Sequence, residues 1–192
     1  MKIKNKDELI TQFNNGNSIE FLLFWGHQKP KSGVSKSCFS QWFESPFSYK
    51  GDHYRTAEHY MMAEKARLFE DEVIRQKIMA SKKPSEAKKL GRKVRNFDNK
   101  IWLDNRFEIV RKASYLKFSQ NEPFKHFLLS TENKVLVEAS PVDPIWGIGL
   151  SMDNRKAQNP NEWKGLNLLG FALMHAREEI KKDATNAENG HT

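Results

Sequence analysis

The sequence of 192 residues predicts one α+β domain that is mainly α-helical, with a small aromatic-rich β-sheet and several packed helices. Two observations predict this class. Apolar residues recur at helical spacing through most of residues 56–129. Short aromatic or β-branched runs of strand length come before this region and again at residues 135–139. We expect an N-terminal helix and turn at residues 1–20, the domain at residues 21–182, and a disordered tail at residues 183–192.

The first 55 residues predict one helix and several short strands. A short amphipathic helix at residues 6–14 ends in turn-forming asparagine and glycine. An apolar run halted by Gly26 predicts a strand, and two further aromatic runs predict a second strand and a hairpin. These strands are expected at residues 21–25, at residues 38–43 and, for the hairpin, at residues 47–55.

The rest of the chain predicts helices around one more strand. Thr56 is suited to cap the first of these helices, and Gly91 inside a helical pattern indicates close packing of two helices. The expected helices span residues 57–69, 70–80, 84–94, 99–118, 122–129 and 167–181, and the expected strand spans residues 135–139.

The helix at residues 57–69 carries two charges in an unusual place. Glu58 and Lys65 project into the middle of its apolar arc, whereas His59, Glu64 and Arg67 lie outside it. Charges in an apolar setting cost several kcal/mol unless they are paired or line a polar cavity. Two helical turns apart, about 10 Å, the two groups could flank a small molecule. The alternative is that the helix is rotated and both charges are solvated.

A second unusual segment follows the strand at residues 135–139. Pro141 and Pro144 fix the backbone on either side of Asp143, and a W-G-x-G sequence from Trp146 permits a tight turn. A rigid loop that carries a carboxylate and an indole at a strand end is suited to chemistry. A tryptophan that simply anchors the turn is the competing interpretation.

Composition limits the partners and excludes several classes of site. The net charge of +8 and pI of about 9.5 favour anionic ligands. One basic cluster at residues 82–95 is either solvated helix surface or a phosphate-facing patch. A single cysteine, Cys38, excludes an internal disulfide. No nucleotide, dinucleotide or zinc motif occurs, so we expect no metal and no cofactor. No apolar run reaches the roughly 20 residues of a membrane span, and we expect a cytoplasmic protein.

Six motifs in order resemble the YbiA-like, or NADAR, superfamily. They are F-W-G at 24–26, F-S-Q-W-F-E-S-P-F at 39–47, T-A-E-H-Y-M-M-A-E-K-A at 56–66, P-x-x-A-x-x-L-G-R at 84–92, L-V-E-A-S-x-x-D-x-x-W-G-x-G at 136–149 and N-x-L-G-x-x-L-M-x-x-R at 167–177. The resemblance implies a mainly helical α+β fold and N-glycosidase activity. Some members hydrolyse phosphoribosylamino-pyrimidine intermediates of riboflavin biosynthesis, and others remove ADP-ribose from guanine bases.

The resemblance also implies a site. Glu58, Lys65 and Asp143 are the expected catalytic residues. The residues expected to bind substrate are Trp146 and Gly147, with Trp102 and Arg106 nearby and aromatic walls from Phe24, Trp25, Gly26, Phe39 and Phe43. One departure concerns base recognition, because Met62 stands where many relatives have glutamine, and Ala66 stands where they have an aromatic residue.

These residue types suit the cleavage of a ribose–nitrogen bond. A raised pKa would let Glu58 act as a general acid or base, and Asp143 would orient water or sugar hydroxyls. Lys65 would either hold a phosphate or form a Schiff base with the ring-opened sugar. The expected partner is a phosphorylated ribosyl-base. ADP-ribosylated nucleic acid, and a non-catalytic nucleotide-binding module, are the alternatives; the sequence predicts no oligomeric state.

Overall fold

A computed structural model of the chain describes residues 3–189. Within them the chain forms seven α-helices and four short β-strands, which confirms the α+β, mainly helical class. The helices are α1 Lys6–Asn14, α2 Ala57–Leu68, α3 Glu72–Ala80, α4 Pro84–Gly91, α5 Asn99–Ser119, α6 Glu122–Leu129 and α7 Leu168–Asn189. The strands are β1 Phe21–Phe24, β2 Phe47–Tyr49, β3 Asp52–Tyr54 and β4 Val135–Glu138. None of the helices in the described part is long and apolar enough to cross a membrane.

The strands form two separate pairs. β2 and β3 make the expected antiparallel hairpin, in which Phe47 lies opposite Tyr54. β1 and β4 pair in parallel, from Phe21 opposite Val135 to Phe24 opposite Glu138. This second pair joins distant parts of the chain and fixes where β4 ends, so it also positions the loop that carries Asp143.

α2 is the central helix, and its sides are buried against α3, α4 and α5. Its first turn is capped as expected, since the Thr56 hydroxyl accepts a hydrogen bond from the backbone N–H of His59 (3.3 Å). His59 lies outside the predicted apolar arc and is nevertheless 1% exposed. Its ring is buried and contacts the Thr56 hydroxyl and the Ser81 carbonyl, because neighbouring helices leave α2 no fully solvated face.

Close packing of α2 on α4 confirms the interpretation of Gly91. A Cβ atom at Gly91 would lie 2.0 Å from the Sδ atom of Met62, far inside van der Waals contact. Glycine is therefore the residue that lets these two helices approach each other closely.

The structure corrects two expected elements. Residues 38–43 do not form a strand: a 3₁₀ helix at Lys36–Phe39 leads into a turn, in which the Ser40 carbonyl accepts the N–H of Phe43 and the Ser40 hydroxyl accepts that of Trp42. No strand of the described chain pairs with this segment. The last helix does not end at residue 181, because α7 continues to Asn189 through much of the expected tail, and the Tyr115 hydroxyl donates to Asp183 (2.8 Å). Residues 190–192 lie outside the described residues.

Candidate active site

A cleft of about 300 Å³ opens between α2, α4, the start of α5, the turn after the 3₁₀ helix and the loop after β4. It brings together five of the residues expected at the site: Glu58, Lys65, Trp102, Asp143 and Trp146. The remaining lining residues are Ser40, Gln41, Trp42, Met61, Met62, Lys88, Gly91, Arg92, Glu138 and Ile145. Carboxylates, cations and indole rings therefore share one small cleft.

Glu58 lies in the first turn of α2 and is 2% exposed. Its backbone N–H donates to the Gln41 carbonyl (3.0 Å), which fixes the start of the helix against the turn. Its Oε1 atom is buried and has no hydrogen-bond partner among the described residues. Burial raises the pKa of Glu58 to about 7; the positive charge of Lys88 and the Trp42 side chain oppose this rise, and the charge of Asp143 adds to it. Such a carboxyl can both give and take a proton near neutral pH.

Lys65 lies two turns further along α2 and is half-buried. Its Nζ atom is 4.2 Å from the centroid of the Phe97 ring and 5.3 Å from that of Trp102. Within residues 3–189 no carboxylate lies within 4.0 Å of it, and burial lowers its pKa. The structure thus confirms that Glu58 and Lys65 face one cleft; whether Lys65 binds phosphate or the sugar carbon stays a prediction.

The loop after β4 is held by hydrogen bonds of its own. The Oδ1 atom of Asp143 accepts the backbone N–H groups of Ile145 (2.9 Å) and Trp146 (2.8 Å), so one carboxylate oxygen stiffens the loop. Gly147 is packed beneath the loop, where a Cβ atom would lie 2.8 Å from the carbonyl oxygen of Glu138. Gly147 therefore shapes the loop but does not line the cleft. Its neighbour Trp146 does line the cleft.

Glu138 was not expected at the site. It is the last residue of β4, and its carbonyl oxygen accepts the N–H of Ile148 (2.9 Å). Its Oε2 atom is buried without a partner among the described residues. Burial, together with the negative charges of Asp143 and Glu58, raises the pKa of its carboxyl to about 8. A charged residue at the end of an otherwise buried strand was the one sequence signal that could have indicated it.

Two cations of the basic cluster also line the cleft. Lys88 on α4 and Arg92 just after it face the carboxylates, and neither forms an ion pair within residues 3–189. Lys82, Lys83 and Lys93 from the same cluster are exposed. Lys88 and Arg92 thus line the cleft, while these three lysines are solvated helix surface; that the two cleft residues face a phosphate stays a prediction.

Several residues expected to bind substrate lie elsewhere. Phe24, Phe39 and Phe43, expected as aromatic walls, do not line the cleft, because their rings pack in the core; those of Phe24 and Phe39 are 5.3 Å apart. Trp25, which is 54% exposed, and Gly26 come directly after β1 and are not part of the cleft lining. Arg106 on α5 is not part of it either. From the F-S-Q-W-F motif it is instead Ser40, Gln41 and Trp42 that line the cleft.

A second, larger cavity of about 660 Å³ lies between α5 and α7. Its lining includes none of the residues expected at the site. In the described part of the chain, no group of three or more His, Cys, Asp or Glu side chains is arranged to hold a metal ion. The residues expected at the site that line a cavity therefore converge in the small cleft.

The chain is similar to several known proteins. A profile of the NADAR domain matches residues 23–181. An N-glycosidase of Acanthamoeba polyphaga mimivirus is 46% identical over 167 residues, covering 83% of this chain and 96% of that protein. The N-glycosidase YbiA of Escherichia coli is 32% identical over 142 residues, covering 74% and 80%. The NMR structure of E. coli YbiA aligns with a TM-score of 0.67 at 27% identity, covering 88% of this chain and 90% of that one. A riboflavin biosynthesis protein of Vibrio vulnificus is 30% identical over 145 residues, covering 76% of this chain and 36% of that protein.

The fold, the site and these similarities define a hydrolase that cleaves N-glycosyl bonds. The chain belongs to the NADAR family.

Proposed function

We propose that the protein hydrolyses the bond between ribose C1 and the exocyclic nitrogen of phosphoribosylamino-pyrimidine intermediates of riboflavin biosynthesis. The observation that carries this proposal is the grouping of three carboxyl groups and three cations around one cleft of about 300 Å³. That volume suits a ligand of mononucleotide size. The groups are Glu58, Glu138, Asp143, Lys65, Lys88 and Arg92.

The carboxyl groups suit the breaking of the C1–N bond. This bond breaks as positive charge develops at C1, which nearby carboxylates stabilise. Glu58 has a pKa near 7, so it can protonate the departing or ring-opening atom and then accept a proton. Asp143 has one oxygen, Oδ2, that accepts no hydrogen bond within residues 3–189, and this oxygen is free to orient water or a sugar hydroxyl.

The cations divide between the phosphate and the sugar. Lys88 and Arg92 carry no carboxylate partner within residues 3–189, and their donors suit a phosphate. This leaves Lys65, in its aromatic surroundings, for the sugar. Because burial lowers its pKa, a larger share of Lys65 is the neutral, nucleophilic amine than on an exposed lysine.

A Schiff-base route uses these groups in sequence. A proton passes from Glu58 to the ribose ring oxygen, the ring opens, and an iminium forms between C1 and the base nitrogen. The Lys65 amine adds to C1; its excess proton moves to the base nitrogen, and the C1–N bond to the base breaks. Water then adds to C1 of the Lys65 imine, the C1–Nζ bond breaks, and the proton returns to Glu58. The products are the free amino-pyrimidine and ribose phosphate.

A second candidate reaction is the release of ADP-ribose from guanine in nucleic acid. The observation that favours it is the positive surface that continues outward from Lys88 and Arg92. Lys82, Lys83, Lys89 and Lys93 are exposed and make no ion pair within the described residues. A surface of this kind binds a polyanion and does so in a salt-dependent manner.

Separate incubation with a phosphoribosylamino-pyrimidine and with DNA that carries ADP-ribosyl-guanine tests both reactions. The proposal predicts that the wild-type protein releases the free pyrimidine, which chromatography detects. Release of ADP-ribose from DNA alone, with activity that falls steeply as salt is raised, would select the second candidate. Tight binding of either compound without release of product would indicate a binding module and contradict both.

A further inference from the structure

Three side-chain oxygens in the cleft are buried without a hydrogen-bond partner among the described residues. They are Oε1 of Gln41, Oε1 of Glu58 and Oε2 of Glu138. The proposed chemistry uses the carboxyl groups, but it gives no role to Gln41, which is 6% exposed. An unpaired buried amide oxygen costs about 1–3 kcal/mol, so a hydrogen-bond donor on a ligand would be favoured at this point.

The backbone that carries the Gln41 side chain is held in a fixed place. The backbone carbonyl oxygen of Gln41 accepts the N–H of Glu58 (3.0 Å), and that of Ser40 accepts from Nζ of Lys117 (2.8 Å) and from the N–H of Phe43 (3.2 Å). The amide thus projects from a fixed backbone, and its burial leaves the side chain little room to move. A group positioned in this way can discriminate between ligands, because little ordering is left to occur on binding.

The chemistry of the amide indicates what it contacts. Among the residues that line the cleft, Gln41 is the one with an uncharged amide side chain, and it adjoins the indole of Trp42. An amide offers an acceptor and donors side by side, which is the pattern that pairs with the edge of a heterocyclic base. The Trp42 indole, which has the His27 ring 5.5 Å from its centroid and Nζ of Lys88 5.7 Å from it, adds aromatic surface of the kind that contacts flat bases.

We propose that the side-chain amide of Gln41 reads the lactam edge of the substrate base, the ring N–H beside a carbonyl. The amide oxygen accepts the ring N–H, and the amide nitrogen donates to the ring carbonyl. This inference rests on the proposed function, but it does not depend on which base is cleaved, because the pyrimidinone and guanine both carry a lactam edge.

The test combines a change in the protein with a change in the base. Gln41→Met keeps the length of the side chain and removes its hydrogen bonds; Gln158→Met, at an exposed glutamine far along the chain, is the matched control. Each protein is assayed with the substrate and with an analogue methylated at the ring nitrogen of the lactam. Gln41→Met should lower kcat/KM for the unmodified substrate by about 10- to 100-fold, as expected for one or two lost hydrogen bonds. For the methylated analogue, Gln41→Met and the wild type should agree within about threefold.

Two results would overturn the inference. An equal loss on both substrates would show that Gln41 contacts the sugar or only supports the fold. An unchanged kcat/KM for the unmodified substrate would show that the amide makes no important contact.

If the wild type releases no base at all, the proposed function fails, and binding of the free base still decides the inference. The free pyrimidinone or guanine is then titrated into the protein, and binding is measured by tryptophan fluorescence. Gln41→Met should bind the base more weakly than the wild type does, and the wild type should bind the methylated base more weakly than the unmodified one. Equal affinities would contradict the inference.

Discussion

A Cβ atom on Gly91 would lie 2.0 Å from Sδ of Met62, and both residues line the cleft. Because glycine lets α4 lie so close to α2, the charges of Lys88 and Arg92 act on the carboxyl group of Glu58 at the start of α2. The shape of the cleft therefore depends on a contact between two residues that carry no charge.

Gly91→Ala should displace the Met62 side chain and narrow the cleft. We expect a higher KM in the base-release assay, with overpacking that costs about 1–3 kcal/mol in the free energy of unfolding. The double variant Gly91→Ala/Met62→Ala should recover most of the loss in KM, since the displaced side chain is gone. A double-mutant cycle should give a coupling free energy of about 1 kcal/mol or more; strictly additive effects would show that the contact does not shape the cleft.

Borohydride added during turnover should trap a covalent adduct on Lys65. The expected peptide mass corresponds to the reduced imine between Nζ and the sugar. Lys65→Arg keeps a positive charge and should abolish the adduct, whereas Lys88→Arg, at the proposed phosphate contact, should keep it. Turnover by the wild type without any adduct would assign Lys65 to phosphate binding instead.

Lys117 should make stability depend on pH. It is 1% exposed, and burial lowers its pKa to about 8, against about 10.4 in an unfolded chain. The unfolded chain therefore holds this proton more tightly, and Lys117 should contribute roughly 1–3 kcal/mol of added stability as pH rises from about 8 to about 10. The raised pKa values of Cys38 and Glu138 act in the opposite direction over this range, so the contribution is measured as a difference between proteins.

Urea unfolding of the wild type and of Lys117→Met at pH 7.5 and pH 9.5 measures that contribution. The change in unfolding free energy between the two pH values should be more positive in the wild type than in Lys117→Met, whereas Lys112→Met, on the same helix, should match the wild type. An equal change in Lys117→Met and the wild type would show that Lys117 does not contribute.

The parts of the site that the sequence could predict are those encoded by local spacing. Glu58 and Lys65 were identifiable because both fall in the apolar arc of one helix, and helical geometry alone places them on one face. Asp143 was identifiable from the prolines and the tight turn around it. Lys65 and Glu58 share the cleft with Asp143, as expected, although the sequence could not give the contacts that fix the loop.

The parts that could not be predicted depend on distant packing. Glu138 reaches the cleft because β4 pairs with β1, a strand more than 100 residues earlier. Gln41 and Trp42 reach it because their segment turns where the sequence predicted a strand; a short apolar run does not distinguish the two. Phe24, Phe39 and Phe43 were expected to touch substrate. The sequence of an aromatic run does not show whether its rings line a site or fill a core.

The central claim is that the buried carboxyl of Glu58 transfers protons during cleavage of the N-glycosyl bond. The most direct measurement is kcat for base release by Glu58→Gln, compared with Glu64→Gln on the same helix but outside the cleft lining. We predict that Glu58→Gln lowers kcat by a factor on the order of 10² to 10⁴ and removes an ionisation near pH 7 from the rate profile, while Glu64→Gln keeps both. Turnover of Glu58→Gln at the wild-type rate would contradict this account.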